Sequence, residues 1–239
     1  IIEKVDWIQC SSILMYFVMA MGSCRFTGIP YPTNDLSSFY PFTRTNLYPE
    51  HMSIQGFITI TMINHHMVTK PVTKIPCCAH LMVSRPEDYV QRFINAGCKA
   101  ITVHLESTRH PHALLMRIRK AGASPGIAIN PATPLTKLDY LLELADRVML
   151  MTVDPGYAGQ KMIPGAYDRV RILREVLTYR ESRAKIEVDG NMDVRNAALL
   201  SGAGAEIFVL GSSSIFQGGD PGEALREFRK AVAAERQLV

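Results

Sequence analysis

Short apolar, β-branched runs alternate with amphipathic stretches from residue 77 to the end of the chain. The runs fall at Cys77–Val83, Ala100–Glu106, Gly126–Asn130, Arg147–Val153, Ala184–Asp189 and Glu206–Gly211. They are nearly continuous in apolar residues, the pattern of parallel strands buried on both faces. Each is followed by a segment that reads as helical. Pro86–Ala96 begins with a proline that suits a first helical turn, and Pro221–Ala234 follows the turn Gly218-Gly219-Asp220. The rhythm predicts six βα units, and two more would close a (β/α)8 barrel.

The first 76 residues break this rhythm. Gly28–Pro49 is rich in Pro, Ser, Thr, Asn and Tyr without a clear period, and reads as a long loop or disordered stretch. Only Gly56–Ile63 resembles a strand, with little room for a helix between it and Cys77. The apolar run at 12–21, SILMYFVMAM, is too short to span a bilayer. Glu3, Lys4 and Asp6 ahead of it do not make the basic start of a signal peptide, so it reads as a buried strand or helix. The expectation is one barrel domain over 1–239, with the first two βα units (1–76) irregular and six regular units in 77–239.

Composition narrows the function classes. Apolar residues make up 47% and charged residues 20% of the 239, an ordinary globular balance. The net charge of +4 is mild, and the lysines and arginines form no run. That suits an anionic small molecule and argues against nucleic acid; no segment calls for a membrane. Five cysteines, Cys10, Cys24, Cys77, Cys78 and Cys98, are odd in number and lack C-x-x-C or finger spacing. They read as reduced thiols of a cytoplasmic protein.

In a parallel barrel the chemistry sits at the C-terminal strand ends. Those ends carry His80, then His104 and Glu106, then Asn130-Pro131-Ala132-Thr133-Pro134. Next come Met151 to Gln160, Asp189-Gly190-Asn191 and Gly211-Ser212-Ser213-Ser214. Gly156, Gly159, Gly190 and Gly211 let backbone N–H groups approach an anion. The last loop is expected to open toward a short helix whose positive end adds to this. The same glycines also suit ordinary turns. Asp189 ends a buried strand and suits a metal ligand, a general base or a helix cap; His80 suits a metal ligand.

The stretches HLMVSRPEDYV, NPATPL, MTVDPGYAGQKMIP, IEVDGNM and VLGSSSIF resemble, in order and spacing, the motifs of the ribulose-phosphate 3-epimerase family. The resemblance implies a (β/α)8 TIM barrel of the ribulose-phosphate-binding type and a substrate that is a 2-ketose phosphate. It also implies a divalent metal ion (Zn, Fe, Mn or Co) and a homo-oligomer. In such an enzyme a base removes the C3 proton, the metal stabilises the enediolate, and an acid on the opposite face completes inversion. By resemblance Asp189 is an acid/base and, with His80, a metal ligand, while Met82 and Met151 line the reaction zone. Gly156, Tyr157, Ala158, Gly159, Gly190, Asn191, Gly211 and Ser212 match the phosphate and substrate loops, and Ser12 a substrate-contacting serine. Asp154 and Ala158 are more similar to the allulose-6-phosphate 3-epimerase branch.

The pattern breaks in one place. The family carries a His-x-Asp pair on its second strand, supplying a metal ligand and the second acid/base. Here His66 and Val68 fall in step with the motif that follows, which sets Thr59 and Thr61 at those two positions. Threonine is a poor ligand and no general acid/base near neutral pH. Three readings stay open: a dead or slowed enzyme, a site in which His65 and His66 substitute, or an altered coding sequence upstream of His80. The inherited activity is conversion of D-ribulose 5-phosphate to D-xylulose 5-phosphate. The alternatives are the allulose 6-phosphate reaction and a non-catalytic phosphosugar-binding barrel.

Overall fold

The computed structural model describes residues 76–239, apart from 157–158, 212, 217–219 and 236–239, together with the backbone of Tyr16–Val18. The expectations for Gly28–Pro49 and Gly56–Ile63, and for Ser12, Thr59, Thr61, His65, His66, Tyr157, Ala158 and Ser212, lie outside the described residues.

Seven parallel strands run in chain order across one sheet. They are β1 (Tyr16–Val18), β2 (Cys78–Leu81), β3 (Ala100–His104), β4 (Ser124–Ile129), β5 (Arg147–Met151), β6 (Lys185–Asp189) and β7 (Ile207–Val209). β1 falls within the apolar run at 12–21 and pairs with β2, Tyr16 opposite Cys78. The helices are α1 (Val90–Asn95), α2 (Pro111–Lys120), α3 (Ala166–Tyr179), α4 (Val194–Ala203) and α5 (Pro221–Glu235). Among the described residues no helix is long and apolar enough to cross a membrane.

The strands from β2 to β7 are largely apolar because each faces two cores. Ala79, Leu81, Ile101, Val103, Ile127, Ile129, Val148, Leu150, Ile186 and Val188 join helix residues such as Leu115, Ile118, Val170 and Leu173 in the outer core. The alternate positions point the other way, as the period of two requires. There Ala128, Met149 and Met151 pack with Met82 and Val209 from distant strands. A face that packs against itself in this way is the inside of a barrel wall, and His80, Thr102, His104, Glu187 and Asp189 share its parity.

Two expectations are corrected. No α-helix follows β4. Leu135–Leu138 is a 3-10 turn, and the residues after it continue in turns, with Leu141 and Leu144 bonded three residues back. Leu138, Leu141, Leu142 and Ala145 are still buried at helical spacing, so the stretch keeps a helix's apolar face without its regular ladder. Pro86–Ala96 divides into a 3-10 turn, Pro86–Asp88, and α1. The short helix expected after β7 falls on a stretch of which residues 212 and 217–219 lie outside the described residues; within it the N–H groups of Ser214, Ile215 and Phe216 all donate to the Gly211 carbonyl, forming a turn.

Candidate active site

His80, the third residue of β2, is fully buried. Its Nδ1 lies 3.3 Å from Oδ2 of Asp189, the last residue of β6. That oxygen is itself buried and accepts no hydrogen bond among the described residues. Burial pulls the His80 imidazole below its ordinary value, against the raising effect of Asp189, so the ring is neutral near pH 7. The sequence thus identified both members of this pair, and the fold brings them together from opposite parts of the sheet.

The other side of His80 meets a partner that the sequence reading noted but did not place in the site. His80 Nε2 is 2.9 Å from Nε2 of His104, with the two ring planes inclined by 14°. His104 Nδ1 lies 3.5 Å from Glu106 Oε2. The other oxygen, Oε1, accepts from the Asn130 N–H at 2.8 Å and from the Thr133 hydroxyl. Burial works to raise the Glu106 carboxyl, but hydrogen bonds from His104, Thr133 and Asn130 outweigh it and hold the pKa at about 2. Strand β3 stops at His104 because Leu105–Ser107 turns into a 3-10 bend that aims Glu106 at this cluster.

Below Asp189 on the same face of β6 sits Glu187, fully buried, with neither carboxylate oxygen hydrogen-bonded. Desolvation, and then the charge of Asp189, push it well above the usual carboxylate range. Arg147 Nη1 is 4.0 Å away. Gly126 makes room for that arginine: a Cβ there would sit 2.7 Å from Arg147 Cγ and overlap Thr102.

The glycine loops border the pair. The Thr152 backbone N–H donates to the Asp189 carbonyl at 2.9 Å, and its hydroxyl contacts the Asp189 and Gly190 carbonyls at 2.9 and 2.5 Å. A Cβ at Gly190, where φ is +124°, would come within 2.5 Å of Val153. Asn191, also in the left-handed region with φ 50°, accepts from the Met162 N–H at 3.1 Å. Its carbonyl is held by Asn196 at 2.8 Å. The loops after β5 and β6 are thereby tied together around Gly190 and Asn191. Gly156 and Gly159 also have positive φ. Gly211 follows the adjacent strand β7, since Asp189 pairs in register with Val209. Met151 is the register partner of Asp189 and is buried, with Met82 packed in the same cluster.

These residues accept a divalent ion as far as they go. His80 Nδ1 and Asp189 Oδ2 lie closer together than twice the usual zinc–ligand reach of ~2.0–2.2 Å, and the carboxylate oxygen has no competing donor. Among the described residues no third His, Cys, Asp or Glu joins them in a metal-holding group.

Comparison with known proteins places the chain. Residues 53–216 match the model of the ribulose-phosphate 3 epimerase family. Ribulose-phosphate 3-epimerase of Aquifex aeolicus is 40% identical over 138 residues, 58% of this chain and 62% of that protein. The match therefore spans less than two thirds of the relative's length. Ribulose-phosphate 3-epimerase of Synechocystis sp. is 37% identical over 171 residues, 71% of this chain and 74% of its own. That of Escherichia coli is 34% identical over 188 residues, 79% of this chain and 80% of its own. Among solved structures, KGPDC from Streptococcus mutans superposes with a TM-score of 0.52 over 67% of this chain and 73% of that one, at 13% identity. That likeness concerns the fold alone, a (β/α)8 barrel. With more than half of its length inside the family match, the chain belongs to the ribulose-phosphate 3-epimerase family.

Proposed function

We propose that the protein is a metal-dependent ketose-phosphate 3-epimerase that interconverts D-ribulose 5-phosphate and D-xylulose 5-phosphate. The observation that carries this reading is the approach of His80 Nδ1 and Asp189 Oδ2 to 3.3 Å, beside loops freed of side chains at Gly190 and Gly211. Asp189 takes the C3 proton on one face of the substrate. Its Oδ2 accepts no hydrogen bond among the described residues, so the lone pair is available to the substrate or to an ion. Met151 and Met82, packed with Ala128 and Val209, keep water from the reacting carbon. Gly156, Gly159, Gly190, Asn191 and Gly211 receive the phosphate, and the Asn196 and Thr152 contacts hold two of those loops in place. When bound, a divalent ion such as Zn, Fe, Mn or Co acts as a Lewis acid that stabilises negative charge on the substrate's C2 and C3 oxygens. His80 and Asp189 are the residues that would hold it.

The opposite face needs a second acid/base, and the position that matches it is Thr61, with Thr59 at the position of a further metal ligand. We therefore propose turnover that is slow for the family, with one-sided C3 proton exchange outlasting inversion. The allulose 6-phosphate reaction is the second reading, favoured by Asp154 together with Ala158 in the loop after β5. Both readings are tested by incubating the full chain with manganese or zinc in deuterated water, with each sugar phosphate in turn. Conversion or C3 deuteration of the pentulose phosphate supports the first reading. Reaction of the hexulose phosphate alone supports the second, and inert binding of either marks a non-catalytic barrel.

A further inference from the structure

The turn after β6 holds one side chain from several directions at once. Asn191 lies in the left-handed region, with φ 50°. Its carbonyl accepts from the Asp193 N–H at 2.9 Å and from Asn196 Nδ2 at 2.8 Å. Its Oδ1 accepts from the Met162 N–H and from Asn196 Nδ2, both at 3.1 Å. Asn196 Nδ2 also reaches Asp193 Oδ2 at 3.3 Å, and the Asn196 N–H donates to Asp193 Oδ1 at 2.8 Å.

These contacts fix the direction of both amides. Carbonyl and carboxylate oxygens only accept, so the end of Asn196 that meets the Asn191 carbonyl and Asp193 Oδ2 is its NH2. A backbone N–H only donates, so the end of Asn191 that meets Met162 and that NH2 is its oxygen. Reversing either amide would set oxygen against oxygen or N–H against N–H. The NH2 of Asn191 therefore points away from Met162 and Asn196. Asn191 is half-buried, and this nitrogen is not among the buried polar atoms sealed from water. It is a donor left over beside Gly190, in the turn that follows Asp189. A spare N–H donor next to bare glycine backbone suits an anion.

We propose that Asn196 is a positioning residue for the phosphate of the substrate: it clamps Asn191 so that the NH2 of that amide, and not its oxygen, faces the anion. The inference rests on the phosphate-binding part of the reading above and uses neither the metal nor the acid/base chemistry. Asn196 does not touch the substrate. It acts by deciding which end of the Asn191 amide the phosphate meets, since an oxygen in that place would repel it.

The experiment is calorimetric titration of the full chain with inorganic phosphate, on the parent, Asn196→Ala, Asn191→Gly and the double variant. Asn196→Ala lets the Asn191 amide turn, and affinity should fall about 10–100-fold, the worth of one hydrogen bond to a charged group. Asn191→Gly suits the left-handed backbone and should cost the same factor. In that background Asn196→Ala should cost less than about 2-fold more, because the two residues act as one unit. An Asn196→Ala affinity equal to the parent's overturns the proposal. So does an equal loss in both backgrounds, which is what a merely structural Asn196 would give. A measurement on the parent stands apart from the folding of the Asn196 variant. The Asn191 side-chain NH2 correlation in a 1H–15N spectrum, identified by its loss in Asn191→Gly, should shift as phosphate is added. Phosphate binding that leaves it unmoved overturns the proposal, as does a parent that binds no phosphate. Turnover is not read, so a parent that shows this pattern but lacks epimerase activity sinks the functional reading alone.

Discussion

Arg147 and Glu187 approach each other inside the barrel, 4.0 Å apart at the nearest atoms, without a hydrogen bond to join them. The arginine enters from the start of β5 and the glutamate sits fully buried one pleat below Asp189. An ion pair at that spacing, out of water, does not repay the desolvation of a carboxylate. The proton therefore stays on Glu187 over a range of pH where an ordinary glutamate has lost it.

Stability should respond accordingly. The folded pKa of Glu187 is raised, so its share of stability is complete below the unfolded value of about 4.3 and falls as pH climbs toward the folded one. Glu187→Gln removes that loss. We expect parent and variant to melt together near pH 4, with the variant gaining by pH 8 on the order of 1 kcal/mol, or ~2–4 °C in a protein of this size. A variant that melts lower than the parent at pH 8 would mean that Arg147 holds an ionised partner after all.

Glu106 behaves in the opposite way. Its carboxyl is held at about 2, so the stability it contributes is present above pH ~4.3 and disappears as pH falls through about 2. Glu106→Gln should flatten the acid limb of a Tm-against-pH curve between those values, at a neutral-pH cost on the order of 1–2 kcal/mol. An acid limb identical to the parent's would show that the carboxyl titrates normally.

Asp189→Asn should abolish chemistry and spare binding. Removing a general base lowers rate by roughly 10²–10⁴-fold, and here C3 deuteration and epimerisation should fall together. Binding of D-ribulose 5-phosphate, read by thermal shift, should persist. Deuteration that survives in Asp189→Asn would place the base elsewhere, with His65 and His66 the first residues to change.

Thr59→His combined with Thr61→Asp should raise turnover by the same factor or more, since it supplies a ligand and an acid together. Steady-state kinetics of the two proteins side by side decide the point. A parent already turning over at roughly 10 s⁻¹, a typical enzymatic rate, would show that the second acid/base is present without them.

The phosphate loops make a prediction of their own. D-Ribulose 5-phosphate should raise Tm and unphosphorylated D-ribulose should not, the stabilisation reaching about 2.7 kcal/mol at 100 times the dissociation constant. Gly190→Ala should lose this response and destabilise by on the order of 1–3 kcal/mol, because φ is +124° there and the added carbon meets Val153. Equal shifts with both sugars would remove the case for a phosphate site.

How much of this was legible in the sequence depends on what each residue answers to. The six strands from β2 to β7 were readable because each packs on two faces, and burial alone writes that pattern. Asp189 and His80 were readable as polar residues closing apolar strands. The link from His80 to His104 was not, because it depends on register. His80 pairs with Thr102, so His104 is a diagonal neighbour, and diagonals cannot be counted along a single strand. Arg147 was hidden for a different reason: it reads as the polar start of a strand, and only the missing side chain of Gly126 lets it turn inward. The failed helix after β4 kept its apolar spacing, which is the signal a sequence carries, and lost its hydrogen-bond ladder, which is not.

The order of strands in the sheet also sets a schedule for folding. Pairing β2 with β3 closes 22 residues, Cys78 to Ala100, and β6 with β7 closes 20, Glu187 to Ile207. Joining β1 to β2 closes 62, Tyr16 to Cys78. Closing a loop nearly three times longer costs about 0.9 kcal/mol more in chain entropy, for a contact of only three residues. Consecutive units from β2 onward can zip together through short-range encounters, each docking on an edge already formed, while β1 waits for the longest search. In a refolding experiment, protection from hydrogen exchange should arrive first at β3, β4 and β5, and last at Tyr16–Val18.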